Sequence, residues 1–459
     1  MNLSRACGLA VVLLAFGCQE STIAIRVVAA DGGDPFLPPD AATQARFRFE
    51  GRTSETVTTN VAPNGYFTLE TPFAGAVSGR GIVEALRMGE VVGGGATPPI
   101  DWGSLGVAVL NVFVQRRDSL VEYAWRLRAS RTSPAIFEAA PAFALVVGGT
   151  VEAQPIESFN ELTLSGAADG SVYDNTLGRD ASFVQLANGR VLIVSGCNAL
   201  LWNPLSNQAL VSPMAMSMAT PPSERCDVRG STVVQEPGGG GLLVGGRGPM
   251  GPVARVDIVN ADGTWSAALP MATPRVRPEV VRTGVAEAII AGGQDAGAPF
   301  LERYTRTLTA DARPVRTGMS AVDDRRDAAL VDLGNGVVLA LGGASTTGTD
   351  LAASDVVLDA RCIDGSCPLV LSTPTLVRER RRNPVAVLAN DGRVVVASGT
   401  GASGVAASVE VIDATTPRAP MSVGPIAMLP YDGITGRRLA TGSVLFAGGG
   451  TMLTWVYRH

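Results

Sequence analysis

Residues 337–343 read VVLALGG, an apolar run closing on a small pair, and the chain repeats that phrase seven times. The seven endings are Gly148-Gly149, Ser195-Gly196, Gly245-Gly246, Gly292-Gly293, Gly342-Gly343, Ser398-Gly399 and Gly448-Gly449, with final glycines 47, 50, 47, 50, 56 and 50 residues apart. A fixed period near fifty marks units that cannot bury their own apolar faces and stack against neighbours, as the blades of a β-propeller do. The expected fold is therefore all-β, with seven blades and six as the alternative.

Working outward from the glycine pairs, most units read as strand, turn, strand. RDASFVQLANGRVLIVSG begins at Arg179, RGSTVVQEPGGGGLLVGG at Arg229, RDAALVDLGNGVVLALGG at Arg326 and RNPVAVLANDGRVVVASG at Arg382, each arginine standing 17 residues before the closing glycine. Arg277 opens a copy one residue shorter, Arg131 one longer, and Asp432 fills the slot in the last copy. Asn-Gly or Asp-Gly between two apolar runs is a hairpin signal. The second run is apolar at successive positions, as a strand packed on both faces requires. A third strand follows each pair, as in ARVDIVNADG from Ala254, SDVVLDA from Ser354 and ASVEVIDATT from Ala407, and a fourth in TWSAALPM from Thr264. The last copy ends after its third strand, TMLTWVYRH, so closing a ring needs a strand from residues 121–127, ahead of the first unit. This order resembles the kelch repeat and implies a kelch-like propeller over 118–459.

Residues 18–117 precede the repeat. Alternating runs at 22–29, 45–49, 65–71, 81–92 and 107–115, punctuated by DGGDPFLPPD and ATPPIDWG, predict a small β-sandwich. GYFTLETPF followed by VVGGGATPPI resembles carboxypeptidase-regulatory and transthyretin-like domains.

The first 17 residues have an export layout: Arg5, an apolar stretch at 8–17, and small Gly17 before Cys18. LAFGC resembles the lipobox of bacterial lipoproteins, which implies a lipidated Cys18, and Gln19 after it implies the outer membrane. Four further cysteines, Cys197, Cys226, Cys362 and Cys367, form an even set in an exported chain. Cys362 and Cys367 bracket a tight turn, while Cys197 follows one unit's second strand and Cys226 precedes the next unit's first, so the expected pairs are 197 with 226 and 362 with 367.

Charge excludes one class of partner. The net charge is −5, all 37 basic residues are arginine, and no clustered positive excess points to nucleic acid. The single histidine, His459, rules out a Ser-His-Asp triad or a multi-histidine metal site within the repeats. Galactose oxidase, a copper enzyme on a kelch propeller, needs histidine ligands that this chain lacks, so the resemblance does not carry that activity over; no metal or cofactor is expected. GTGASG at 399–404 has the letters of a dinucleotide fingerprint, but a strand follows where a helix is required, so it reads as a hairpin loop.

The arginines opening each unit have two readings, a ring of bidentate donors for an anionic glycan or peptide, or structural bonds to backbone carbonyls and acids. Regular repetition favours the structural one. The run at 378–382, Arg-Glu-Arg-Arg-Arg, reads as a solvated, Glu-paired loop. The non-repeated residues after the glycine pairs, Arg247, Gln294, Asp295, Ser345 and Thr346, with Arg380, form the candidate binding face. The functional expectation is an exported, lipid-anchored, non-enzymatic binding or scaffold module for an envelope protein or polysaccharide. The alternative is a glycan-processing enzyme using Asp295, Asp323 and Asp324 as acid and base.

Overall fold

The computed structural model describes residues 22–458 apart from 31, 51–55, 62–67, 73–77, 103–108, 124, 141–142, 150–154, 162–163, 173–180, 197, 203–216, 219–221, 237, 268–269, 284–286, 294–300, 306–324, 326, 345–353 and 363–365. The protein is all-β: helical conformation among the described residues is confined to short 3-10 pieces, Ser223–Arg225 and Ala360–Cys362 with Trp102. No helix there is long and apolar enough to cross a membrane. Two compact units divide at Arg117 and Asp118.

The unit Met1–Arg117 holds one continuous seven-stranded sheet in the order Thr56–Asn60, Gln44–Phe49, Gly81–Arg87, Glu90–Ala96, Val109–Arg116, Thr22–Ala29, Thr68–Pro72. Every neighbouring pair is antiparallel except Thr22–Ala29 with Val109–Arg116. The expected two-sheet sandwich is corrected here, and glycine is the reason. A Cβ on Gly93 would lie 2.5 Å from Gln115 O, and one on Gly94 2.6 Å from Val83 O. Bare backbone thus lets the Glu90–Ala96 strand approach both neighbours and join what would otherwise be two sheets. The two edge strands come close together, so the sheet curls. In Gln44–Phe49 alternate residues, Ala45, Phe47 and Phe49, are buried, and Phe47, Phe49 and Trp102 meet edge to face with centroids 5.2–5.9 Å apart.

The unit Asp118–His459 contains seven sheets of three or four antiparallel strands among the described residues, besides two short hairpins. In chain order their first strands are Ala135–Ala140, Ser182–Gln185, Thr232–Gln235, Glu279–Arg282, Ala329–Gly334, Val385–Leu388 and Ile434–Arg438. Each first strand packs against the next, and the seventh packs against the first. The opening phrase shows how sheets stack. In the strand Val337–Leu341 of the fifth sheet, Val338 and Ala340 pack with Ile289 and Ala291 of the fourth, while Val337, Leu339 and Leu341 pack with Val394 and Val396 of the sixth. A strand with period-two alternation and neighbours on both faces has no polar positions to spare. The turn before it, with Asn335 at φ 54° and Gly336 at φ 76°, has the two positive φ values of a hairpin whose twist matches its strands.

The seventh sheet takes its outer strand from the start of the unit. Ser119–Glu122 pairs antiparallel with Thr454–Arg458, and Tyr123 N and Leu127 N donate to Thr454 O and Met452 O at 2.8 and 2.7 Å. Trp125, within that strap, stacks on Phe159 of the first sheet with centroids 5.1 Å apart. Pairing begins two residues before the expected donor segment. The GTGASG glycines form a hairpin of Thr400–Gly401 with Gly404–Val405, followed by the strand Ser408–Asp413.

Candidate functional site

The repeated arginines separate into two sets once side-chain direction is known. Arg131, Arg225, Arg275, Arg325 and Arg381 are buried, and each faces an acid near the start of its sheet's third strand: Glu157, Asp257, Glu302, Asp355 and Glu410. Arg131 bonds Gly148 O at 2.7 Å, Arg325 bonds Gly342 O at 3.0 Å and Arg381 bonds Ser398 O at 3.2 Å; Arg275 bonds Gly292 O. The backbone carbonyls of Arg275, Arg381 and Arg131 accept from Gly246 N, Gly343 N and Gly450 N of the preceding sheet. Each such residue therefore fastens its own sheet and the one before it. At Arg131, Arg275, Arg325 and Arg381 this places the structural position 18 residues before the closing glycine, not 17, whereas Arg225 stands 21 before its own. Within the run 378–382, Arg381 is fully buried, so a wholly solvated loop is corrected. Burial pulls the Arg381 guanidinium below its ordinary pKa, and Glu410 and Glu379 pull it back.

Copies that end in Ser-Gly keep the geometry by other means. Ser398 adopts φ 59°, and its hydroxyl donates to Tyr431 O at 3.1 Å in the next sheet.

The second set of arginines is exposed and converges. Arg229, Arg247 and Arg277 line an open cavity of about 430 Å³ with Asp227, Gly230, Gly248, Pro249 and Val276. The hairpin Arg247–Gly248 with Gly251–Pro252 positions Arg247. Arg229 and Arg247 face each other in an antiparallel bridge, Arg247 N donating to Arg229 O at 2.8 Å and Arg229 N to Arg247 O at 3.1 Å. Like charges directly opposite in such a pair are destabilising. The corresponding bridge beside the sixth sheet sets Arg382 against Thr400, without the conflict.

Arg277 carries a second anomaly. Two residues after four of the five buried arginines the backbone is left-handed: Ser133 has φ 53°, Arg277 48°, Asp327 56° and Asn383 46°. Ser, Asp and Asn are short polar residues, two of which visit this region readily, whereas a long arginine there is strained. Strain of this kind persists where the surroundings impose it, and it concentrates at functional sites.

Of the expected binding face, Arg247 lies in this cavity, while half-buried Arg380 is not among its lining residues. Gln294, Asp295, Ser345, Thr346, Asp323, Asp324, Arg179, Arg326, Cys18 and Cys197 fall outside the described residues. Cys362 and Cys367 form a disulfide with Cα atoms 4.8 Å apart. Cys226 is disulfide-bonded, and its carbonyl lies against Gly196, the neighbour of Cys197. Asp227 was not singled out by its sequence, although it sits two residues before Arg229.

Neither a protein-family model nor a curated protein matches the chain. Among solved structures, a fungal alcohol oxidase of the AA5 family in complex with copper is similar, with TM-score 0.50 and 13% identity over 73% of this chain and 75% of that one. This likeness concerns the fold. It corrects the expectation of a purely non-enzymatic envelope scaffold, because the architecture is one that also carries an oxidase. The residues here do not fit that protein's copper: among the described residues no three His, Cys, Asp or Glu group to hold a metal ion, and the chain has one histidine.

Proposed function

We propose that Asp118–His459 is a seven-bladed kelch-like propeller that recognises an anionic ligand at the Arg229–Arg247–Arg277 cavity. The closed succession of first strands and the shared outer strand of the seventh sheet support the blade count. The observation that carries the ligand reading is the coincidence of two unfavourable arrangements, an opposed arginine pair and an arginine in left-handed backbone, at one cavity. Three arginines lining one cavity offer guanidinium forks, bidentate donors suited to a planar anion.

The test is calorimetric titration of the full-length protein in detergent with digalacturonate, phosphate, sulfate and a triglutamate peptide. At least one binds, and Arg229→Ala with Arg247→Ala and Arg277→Ala abolishes it. Binding by none of the four, or binding unchanged in the triple variant, overturns the reading. Export and lipidation at Cys18 are part of the same proposal and rest on the layout of the first 18 residues. Palmitate labelling that persists in Cys18→Ser sinks them.

A further inference from the structure

Among the described residues the cavity is also lined by one acid, and that acid narrows the ligand. Resting on the anion-binding reading above, we infer that the ligand is a hydroxy-carboxylate of the sugar-acid type, a uronic acid residue, in preference to a phosphate or an acidic peptide. Asp227 is exposed and lines the cavity with Arg229, Arg247 and Arg277. A carboxylate among cations discriminates in two ways: it accepts hydrogen bonds from hydroxyl groups, and it repels any additional negative oxygen brought beside it. A phosphate dianion concentrates two charges on one small centre and carries a single hydroxyl. A uronate brings one planar charge for the guanidinium forks and several hydroxyls for Asp227.

The rest of the lining fits the same chemistry. Exposed Pro249 supplies apolar surface, against which the C–H face of a pyranose ring packs, so the cavity offers cations, an acceptor and an apolar patch together. A triglutamate peptide offers carboxylates on flexible stems whose ordering costs rotamer entropy, whereas a pyranose holds its carboxylate and hydroxyls on one rigid frame. The volume, about 430 Å³, lies within the range of small-ligand sites and is far from a macromolecular interface.

The molecule supplies its own control variant. Thr400 stands opposite Arg382 in the sixth sheet's hairpin where Arg247 stands opposite Arg229, so Arg247→Thr installs a residue the fold already accepts in that setting. Titration of the full-length protein with digalacturonate, phosphate and triglutamate is the experiment. Digalacturonate is expected to bind most tightly, and Arg247→Thr to weaken it by about tenfold or more, the loss that follows from deleting a charged hydrogen-bonding partner. Asp227→Asn is expected to weaken digalacturonate and strengthen phosphate, inverting their ratio. Tighter wild-type binding of phosphate or triglutamate overturns the sugar-acid class while leaving anion recognition standing. An unchanged digalacturonate-to-phosphate ratio in Asp227→Asn overturns the role given to Asp227. If no anion binds the wild-type protein, both this inference and the reading beneath it fall, and that outcome needs no variant to fold.

Discussion

The double variant Arg247→Thr, Arg277→Asn is expected to make the protein more stable while destroying its ligand site. Two costs are removed. Arg277 occupies φ 48°, and asparagine, the residue at the matching position 383, accepts that backbone more readily. A left-handed conformation costs an ordinary side chain about 1–2 kcal/mol, of which asparagine relieves part, so the gain is about 0.5–1 kcal/mol. Replacing Arg247 by threonine ends the like-charge opposition with Arg229, worth about 0.2–1 kcal/mol. The sum is a stabilisation of about 1–2 kcal/mol, against a typical point substitution that destabilises by about 1 kcal/mol.

Urea unfolding followed by tryptophan fluorescence reads the gain as a raised midpoint at unchanged slope. The two residues line one cavity, so the single variants need not add, and both belong in the experiment. Loss of affinity for the anion accompanies the gain, the exchange expected when a binding site keeps an arrangement the fold alone would discard. A double variant no more stable than wild type refutes the argument, because the strain and the repulsion would then not exist.

Three further outcomes follow from the scaffold. Arg381→Met strands buried Glu410 and should cost about 3–5 kcal/mol, with much of the loss recovered by adding Glu410→Leu. Glu161, at the seam between the first and last sheets, is buried beside Glu138, and burial first and then Glu138 push its pKa up to about 7. Arg458 and a hydrogen bond from Thr441, with Arg437 and Arg438 facing Glu138, oppose the rise. A carboxyl with a raised folded pKa holds a proton that the unfolded chain has released, so stability falls as pH climbs from about 4.5 to about 7 and is level above that. The span corresponds to about 3 kcal/mol at about 1.4 per pKa unit, and Glu161→Gln should flatten the profile in urea unfolding measured from pH 4 to 8. Gly342→Ala should cost more than about 2 kcal/mol, since φ is 64° and the new Cβ would sit 2.5 Å from Arg381 O; Gly251→Ala, with φ 118° and nothing near, should cost about 1 kcal/mol by the same unfolding measurement.

Much of this architecture was legible because it obeys short-range rules. An apolar run without polar alternation has to be packed on both faces, and residues 337–341 are. What hydropathy could not fix was direction. At Arg381-Arg382 two arginines compete for one slot, and only the backbone's facing decides that Arg381 is the buried one. The acids that answer them, Glu157, Asp257, Glu302, Asp355 and Glu410, were a readable signal, because each stands near the start of a third strand, at positions where the acids closing those strands, such as Asp359 and Asp413, draw more notice.

The cavity was only half legible for a different reason. Arg247 stood out as a loop residue outside the repeat, whereas Arg229 and Arg277 were absorbed into the repeat as register markers, and nothing linear joins residue 247 to residue 229. The link is a backbone bridge formed when a six-residue excursion, 247–252, folds back beside the opening of its own unit. A repeat protein does, however, contain several solutions to the same local problem. Where most copies place Ser, Asp or Asn in the left-handed position and one places Arg, and where one hairpin opposes Arg with Thr and another opposes Arg with Arg, the departures cannot be needed for the fold, because other copies fold without them. Two such departures meeting at one cavity locate what the third and fourth sheets do beyond holding the ring.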